Sequence, residues 1–255
     1  MSKLPYGTGL VRGTMNSRAQ HSMSIALTSL LAFGAIAGFV RIANAQSPEL
    51  QQRVAEVKAA SAQNKQALMS FNWTETVTIS LKGEVKKVQH YQVRLGPDGK
   101  SQKTSLDPPA DAAPSGGRLK QHVVAKKKEE YSDYAESMKS LAQQYVPPDG
   151  AQLQQAYAQG NITLGTAAGN PNAIQLVIHN YVKPQDSMTL VFDKAQKALL
   201  GVQIATYMDD PKDAMTLAVQ FSQIPGGPNH VASVDMNGVG KQLNIATQNS
   251  NYQHN

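Results

Sequence analysis

Trp73-Thr74-Glu75-Thr76-Val77-Thr78-Ile79-Ser80-Leu81 changes the period of the chain to two. Trp73, Glu75, Val77, Ile79 and Leu81 fall on one side, and Thr74, Thr76, Thr78 and Ser80 on the other. β-branched residues in strict alternation read as a strand with one buried face. Lys82-Gly83 then predicts a tight turn, and Val85–Leu95 a partner strand running back. Gly96-Pro97-Asp98-Gly99 predicts a second turn, and Lys100–Leu106 a third strand.

Upstream of this hairpin the pattern is helical. Ser47-Pro48-Glu49 supplies an N-cap serine, a proline at the first helical position and an acid in the first turn. Leu50, Val54, Val57, Ser61, Asn64 and Leu68 then form one stripe, predicting a helix to about Ser70.

Further upstream lies a leader. Arg18 and His21 precede sixteen uncharged residues, Ile25–Val40, and Ala43-Asn44-Ala45 offers the small-x-small site that a signal peptidase accepts. That order predicts a cleaved signal peptide over residues 1–45, with Met15 as an alternative start and 46–255 as a single α+β domain. The apolar run falls short of the ~20 residues a spanning helix needs, so no stable membrane anchor is expected. The protein is expected to be exported, to the periplasm or outside the cell.

The leader also accounts for the charge. The whole chain carries 24 Lys+Arg against 18 Asp+Glu. Lys3, Arg12, Arg18 and Arg41 belong to the leader, which has no acid, so the remainder keeps 20 against 18. A net charge of +2 is no footprint for nucleic acid. Cysteine is absent, which removes disulfides, zinc-thiolate sites, cysteine nucleophiles and the attachment point of a lipoprotein anchor.

Downstream of the third strand, Asp107–Gly117 reads D-P-P-A-D-A-A-P-S-G-G and predicts a flexible loop near 107–118. Leu119–Val146 is helical, with Tyr131, Tyr134, Met138, Leu141 and Tyr145 on one face. Lys126 and Glu130 are spaced for an i,i+4 pair on its solvated side. Pro147-Pro148-Asp149 ends that helix and opens a short one, Ala151–Gln159, closed by Gly160.

After Asn172 the pattern is strands and turns. Ile174, Leu176 and Ile178 alternate, as do Met188, Leu190 and Phe192, then Leu200, Val202 and Ile204, then Met215, Leu217, Val219 and Phe221. Val231–Met236 and Gln242–Thr247 are weaker candidates. All links are short, which joins antiparallel neighbours into a meander of about six strands. The fold class is therefore α+β: a curved antiparallel sheet of about nine strands covered by helices.

Chemical motifs are scarce. The six histidines (His21, His90, His122, His179, His230, His254) show no i,i+4 pair and no H-E-x-x-H. No G-x-S-x-G elbow or phosphate-cradling glycine loop occurs. Asp209-Asp210-Pro211-Lys212-Asp213 is the one acidic cluster, and it reads as a hairpin turn rather than a calcium loop or a carboxylate pair. No catalytic residue, metal ligand or cofactor is assigned, and the chain is expected not to be an enzyme.

The element order, a helix, three strands, central helices and six strands, resembles the periplasmic lipoprotein-carrier fold, the LolA/LppX-like half-barrel. That resemblance implies an unclosed sheet curled over a helical lid, with lipid acyl chains held between them and a lipid or lipoprotein as partner. More locally, W-T-E-T-V-T-I-S-L-K-G-E-V-K-K (73–87), Y-V-P-P-D (145–149), Y-V-K-P-Q-D-S-M-T-L (181–190) and T-Y-M-D-D-P-K-D (206–213) look like strings of an uncharacterised group of exported bacterial proteins, which implies no activity. If one sheet face and the helices enclose an apolar cavity, its lining comes from four regions. Val77 and Ile79 come from the first strand, and Met138 and Leu141 from the long helix. Leu190, Phe192, Val202 and Ile204 come from the middle of the meander, and Leu217, Val219 and Phe221 from the strand after it. The function these features suggest is a non-enzymatic carrier for an apolar moiety. The alternative is a packed structural or interaction module of the cell envelope, with no cavity.

Overall fold

A computed structural model describes residues 62–108, 118–196 and 198–255. The leader, the first part of the upstream helix and most of the proline-rich loop lie outside the described residues. Helix α1 is seen over 62–68. There follow β1 (Phe71–Leu81), β2 (Glu84–Leu95), β3 (Ser101–Ser105), α2 (Arg118–Ala142) and α3 (Gly150–Ala158). Seven more strands complete the chain: β4 (Ile162–Ala167), β5 (Asn170–His179), β6 (Ser187–Asp193), β7 (Ala198–Tyr207), β8 (Ala214–Gln223), β9 (Asn229–Gly238) and β10 (Leu243–His254).

All ten strands form one antiparallel sheet in the order β3-β2-β1-β10-β9-β8-β7-β6-β5-β4. It is an unclosed curved sheet, the half-barrel of the α+β class. Its edges, β3 and β4, are joined through the helices, so α2 and α3 sit in the chain at the gap. The first hairpin and the meander are welded by β1 against β10, with Val77 opposite Thr247 and Ile79 opposite Ile245. Bulges in the β1–β2, β6–β7 and β8–β9 ladders add local bend and twist to the curve.

The opening stretch folds as its period dictates: Phe71, Trp73, Glu75, Val77 and Ile79 are buried, with half-buried residues between them. Lys82 (φ 54°) and Gly83 (φ 79°) both take positive φ, the geometry of a two-residue hairpin turn whose twist matches the flanking strands. The apolar face of α2 packs on the sheet's inner face through Ala135, Met138, Leu141 and Ala142, all buried. Gly238 permits the close approach: a Cβ there would stand 2.7 Å from the Tyr134 ring and 2.8 Å from Met138 Sδ.

Four expectations are corrected. The sequence pattern assigns no element to Ile162–Ala167, which forms β4, because I-T-L-G-T-A is an exposed edge strand with almost no buried face to leave a periodic mark. β10 runs to His254 rather than Thr247, because its inner face continues with polar residues, Asn249 among them. α2 ends at Ala142, and Gln143–Val146 form irregular turns before the prolines. On β7, Leu199 rather than Leu200 packs on the core, because the β6–β7 bulge pairs Phe192 with Leu199 and reverses the parity.

Candidate functional site

All eleven candidate lining residues belong to one apolar cluster or pack directly against it. Val77, Ile79, Met138, Leu141, Leu190, Val202, Ile204, Leu217 and Val219 are 0–5% exposed. Phe192 and Phe221 are half-buried, as are Leu176 and Leu199. These residues share one apolar face, and that face divides into two levels. Towards the turns Lys82–Gly83, Asp209–Asp213 and Val239–Gln242 (the upper end), those nine residues are almost entirely buried. Towards the other end, the apolar row Phe192, Leu199 and Phe221 is less enclosed.

Polar ties fasten α2 to the upper end. The Tyr134 hydroxyl donates to Asp213 Oδ1 at 2.6 Å, and Gly240 N–H donates to the same oxygen at 2.7 Å. Burial, with the Asp213 carboxylate beside it, pushes the Tyr134 hydroxyl well above the usual phenol range. Glu130 pairs with Lys241 in the β9–β10 turn, so its ion-pair partner lies across the lid contact rather than at Lys126. Just past α2, the Tyr145 hydroxyl donates to Asp186 Oδ2 at 2.6 Å and lies 2.7 Å from Thr206 Oγ1. Asp186 is buried and also accepts backbone N–H groups from Tyr181 (2.6 Å), Val182 (2.9 Å) and Lys183 (2.7 Å). The Lys183 ammonium is spent on the Tyr207 and Met208 carbonyls at 2.8 and 2.7 Å.

The acidic cluster is a turn. Asp213 N–H donates to Asp210 O, and Lys212 N–H to Asp210 Oδ1. Asp213 is committed to Tyr134 and Gly240. Among the described residues, no three His, Asp or Glu side chains are grouped to hold a metal. His90 is a sheet residue: its Nδ1 lies 2.8 Å from Asp107 Oδ1, and its backbone N–H donates to Asp107 Oδ2 at 2.8 Å. These contacts hold the Asp107 carboxyl below the usual carboxylate range.

At the lower end the inner face turns polar, which sequence reasoning missed. Glu75 is fully buried between Trp73 and Val77 on β1, opposite Asn249 on β10. Lys103 reaches over from β3 to ion-pair with Glu75 Oε1, its ammonium 5.4 Å from the Tyr91 ring centroid. Burial holds the Glu75 carboxyl above its ordinary range even against the Lys103 charge, and pulls the Lys103 ammonium below its own. Trp73 stacks on Tyr252 with centroids 5.4 Å apart, and Tyr252 packs in turn on His230 at 4.1 Å. Asn249 Nδ2 and the Tyr252 hydroxyl both donate to Val231 O, at 3.0 and 3.3 Å. The available signal was Glu75 itself, a carboxylate in register with Trp73, Val77 and Ile79.

Among the described residues, no helix is long and apolar enough to cross a membrane. No protein-family model matches the chain, and no curated protein matches it. Among solved structures it is similar to a LolA superfamily protein from Nitrosomonas europaea, at 9% identity over 78% of this chain and 93% of that one, TM-score 0.34. It is also similar to a DUF1329 family protein from Desulfovibrio piger, at 11% identity over 79% and 92%, TM-score 0.38. A third likeness is to a domain described as an outer membrane lipoprotein-sorting protein from Vibrio parahaemolyticus, at 9% identity over 80% and 91%, TM-score 0.37.

Proposed function

We propose that this chain is an exported, non-enzymatic carrier for an apolar moiety, a lipid or a lipoprotein acyl chain. One observation carries the reading: the apolar face of an unclosed sheet is covered by a helix tied down at the upper end by a few polar contacts. Tyr134–Asp213, Glu130–Lys241 and Tyr145–Asp186 are those ties. Releasing them would uncover the buried face, while the less enclosed row of Phe192, Leu199 and Phe221 gives an apolar chain a place to begin. The carrier reading therefore requires α2 to move.

The packed-module reading is favoured by a specific observation, the near-zero exposure of the nine upper residues. Delipidated protein titrated with a fluorescent fatty-acid or phospholipid probe separates the two. A carrier takes up the probe saturably, and mass spectrometry of the untreated protein finds a copurifying lipid. Absence of both would leave the packed module standing.

A further inference from the structure

We propose that the buried polar cluster at the lower end binds an uncharged, hydroxyl-bearing head group of an amphiphile. This inference rests on the carrier reading and names its ligand class.

Among the described residues, four side-chain atoms there have no hydrogen-bond partner: Trp73 Nε1, Glu75 Oε2, Thr247 Oγ1 and Asn249 Oδ1. Their residues are at most 9% exposed. They occupy adjoining positions of one face, Trp73 and Glu75 on β1 and Thr247 and Asn249 on the neighbouring β10. Positions directly opposite or diagonal on such a pair lie within about 5–8 Å of one another. Buried polar atoms are almost always satisfied, so four orphans on one patch are hydrogen-bonding capacity that a polar ligand group can take up.

The chemistry of the orphans selects that group. Glu75 Oε2 and Asn249 Oδ1 only accept, Trp73 Nε1 only donates, and Thr247 Oγ1 does either. Two hydroxyls, each donating once and accepting, answer all four, one to Glu75 Oε2 and one to Asn249 Oδ1. Charge selects further. Lys103 already neutralises Glu75, so a cationic head would be a buried unpaired charge and an anionic head would face the carboxylate. Apolar residues adjoin the cluster: Val231, whose carbonyl Asn249 contacts, is paired with Phe221 on β8. Leu199, paired with Phe192, continues the row on β7 and β6. A head at Glu75 and Asn249 would thus lie beside a track for its chain.

Trp73 is the only tryptophan, so intrinsic fluorescence reports on the site directly. The test titrates full-length delipidated protein with 1-monooleoylglycerol and with methyl oleate, which has the same chain and no hydroxyl. The inference expects the monoglyceride to bind about tenfold tighter or better and to shift Trp73 emission to the red as the indole N–H gains a partner. A Thr247→Val variant, checked for folding by circular dichroism, should narrow that ratio. Equal binding of the two lipids with no emission shift would mean that only buried water serves the cluster, overturning the inference while the carrier reading stands. A ratio undiminished in the folded variant would also overturn it. Binding of neither lipid would instead remove the carrier reading and this inference together. Should the variant not fold, the wild-type ratio and emission shift decide.

Discussion

Replacing Asp186 by alanine tests how the lid is held. In the β5–β6 turn, one buried carboxylate gathers three consecutive backbone N–H groups and the Tyr145 hydroxyl, at 2.6–2.9 Å. The Tyr181 N–H and the Tyr145 hydroxyl lie in fully buried bonds, whereas the Val182 and Lys183 N–H groups are only part-buried. A buried donor left without a partner costs about 1–3 kcal/mol. Water entering the vacated space can satisfy the two part-buried groups, so they add little. The Tyr145 hydroxyl keeps Thr206 Oγ1 as an acceptor, so Asp186→Ala leaves one fully buried donor unpaired, the Tyr181 N–H, at about 1–3 kcal/mol, and loses the charge-assisted Tyr145 bond at about 1.5–3 kcal/mol. The sum, about 3–5 kcal/mol, is a large share of the roughly 5–15 kcal/mol that holds a domain folded. Tyr145→Phe removes one donor and leaves the carboxylate three, so it should cost about 1–2 kcal/mol. With a urea slope of about 2 kcal/mol per molar, Asp186→Ala moves the unfolding midpoint down by about 2 M. Urea titrations followed by circular dichroism measure both variants side by side. A shift below about 0.5 M for Asp186→Ala, or an equal shift for Tyr145→Phe, would show that the carboxylate is not the hub described.

Three further outcomes follow from the same packing. Gly238→Ala drives a methyl into Tyr134 and Met138, and should cost about 1–3 kcal/mol; Gly165→Ala on edge strand β4 meets nothing within 4 Å and should be near neutral, so equal thermal shifts would contradict the close contact of α2 with β9. Glu75→Gln leaves Lys103 largely buried without its partner and should cost about 2–3 kcal/mol, while the double variant Glu75→Leu, Lys103→Met should return to within about 1 kcal/mol of wild type; a double variant no better than the single one in urea would argue against a coupled pair. Burial of His230 holds its folded-state pKa below 6.5, so the unfolded chain binds more protons and stability falls as pH drops from 6.5 through the lowered value. In His230→Phe that part of the pH dependence should flatten, and an unchanged midpoint-versus-pH curve would rule it out.

The hairpin was legible because its two faces differ in polarity at every step, and period two survives any uncertainty about partners. The same holds for Met188–Phe192 and Met215–Phe221, whose apolar residues point one way. β4 and the end of β10 were not legible for the opposite reason. One is an edge strand with an exposed surface, and the other faces inward with Asn249 where an apolar residue would have marked it. Leu199 and Leu200 exchanged places because a bulge is a property of a strand pair, not of one strand. Of the candidate site, the apolar residues were readable one strand at a time. The polar cluster was not, since Glu75 and Lys103 lie on strands that do not touch and meet only across β2.

What the sequence by itself determined is the set of local periods: which residues of most strands and of α2 turn inward, where the Gly, Pro and Asp turns fall, and hence an α+β fold with an antiparallel sheet. Those features depend on neighbours a few residues away, through steric preference and solvent exclusion. Only the tertiary structure decided that β1 closes on β10, that Asp213 and Asp186 hold the lid, and that four buried polar atoms with no partner among the described residues share one patch. Each joins residues far apart in the chain, and their meeting depends on the register and curvature of the whole sheet, which no local pattern encodes.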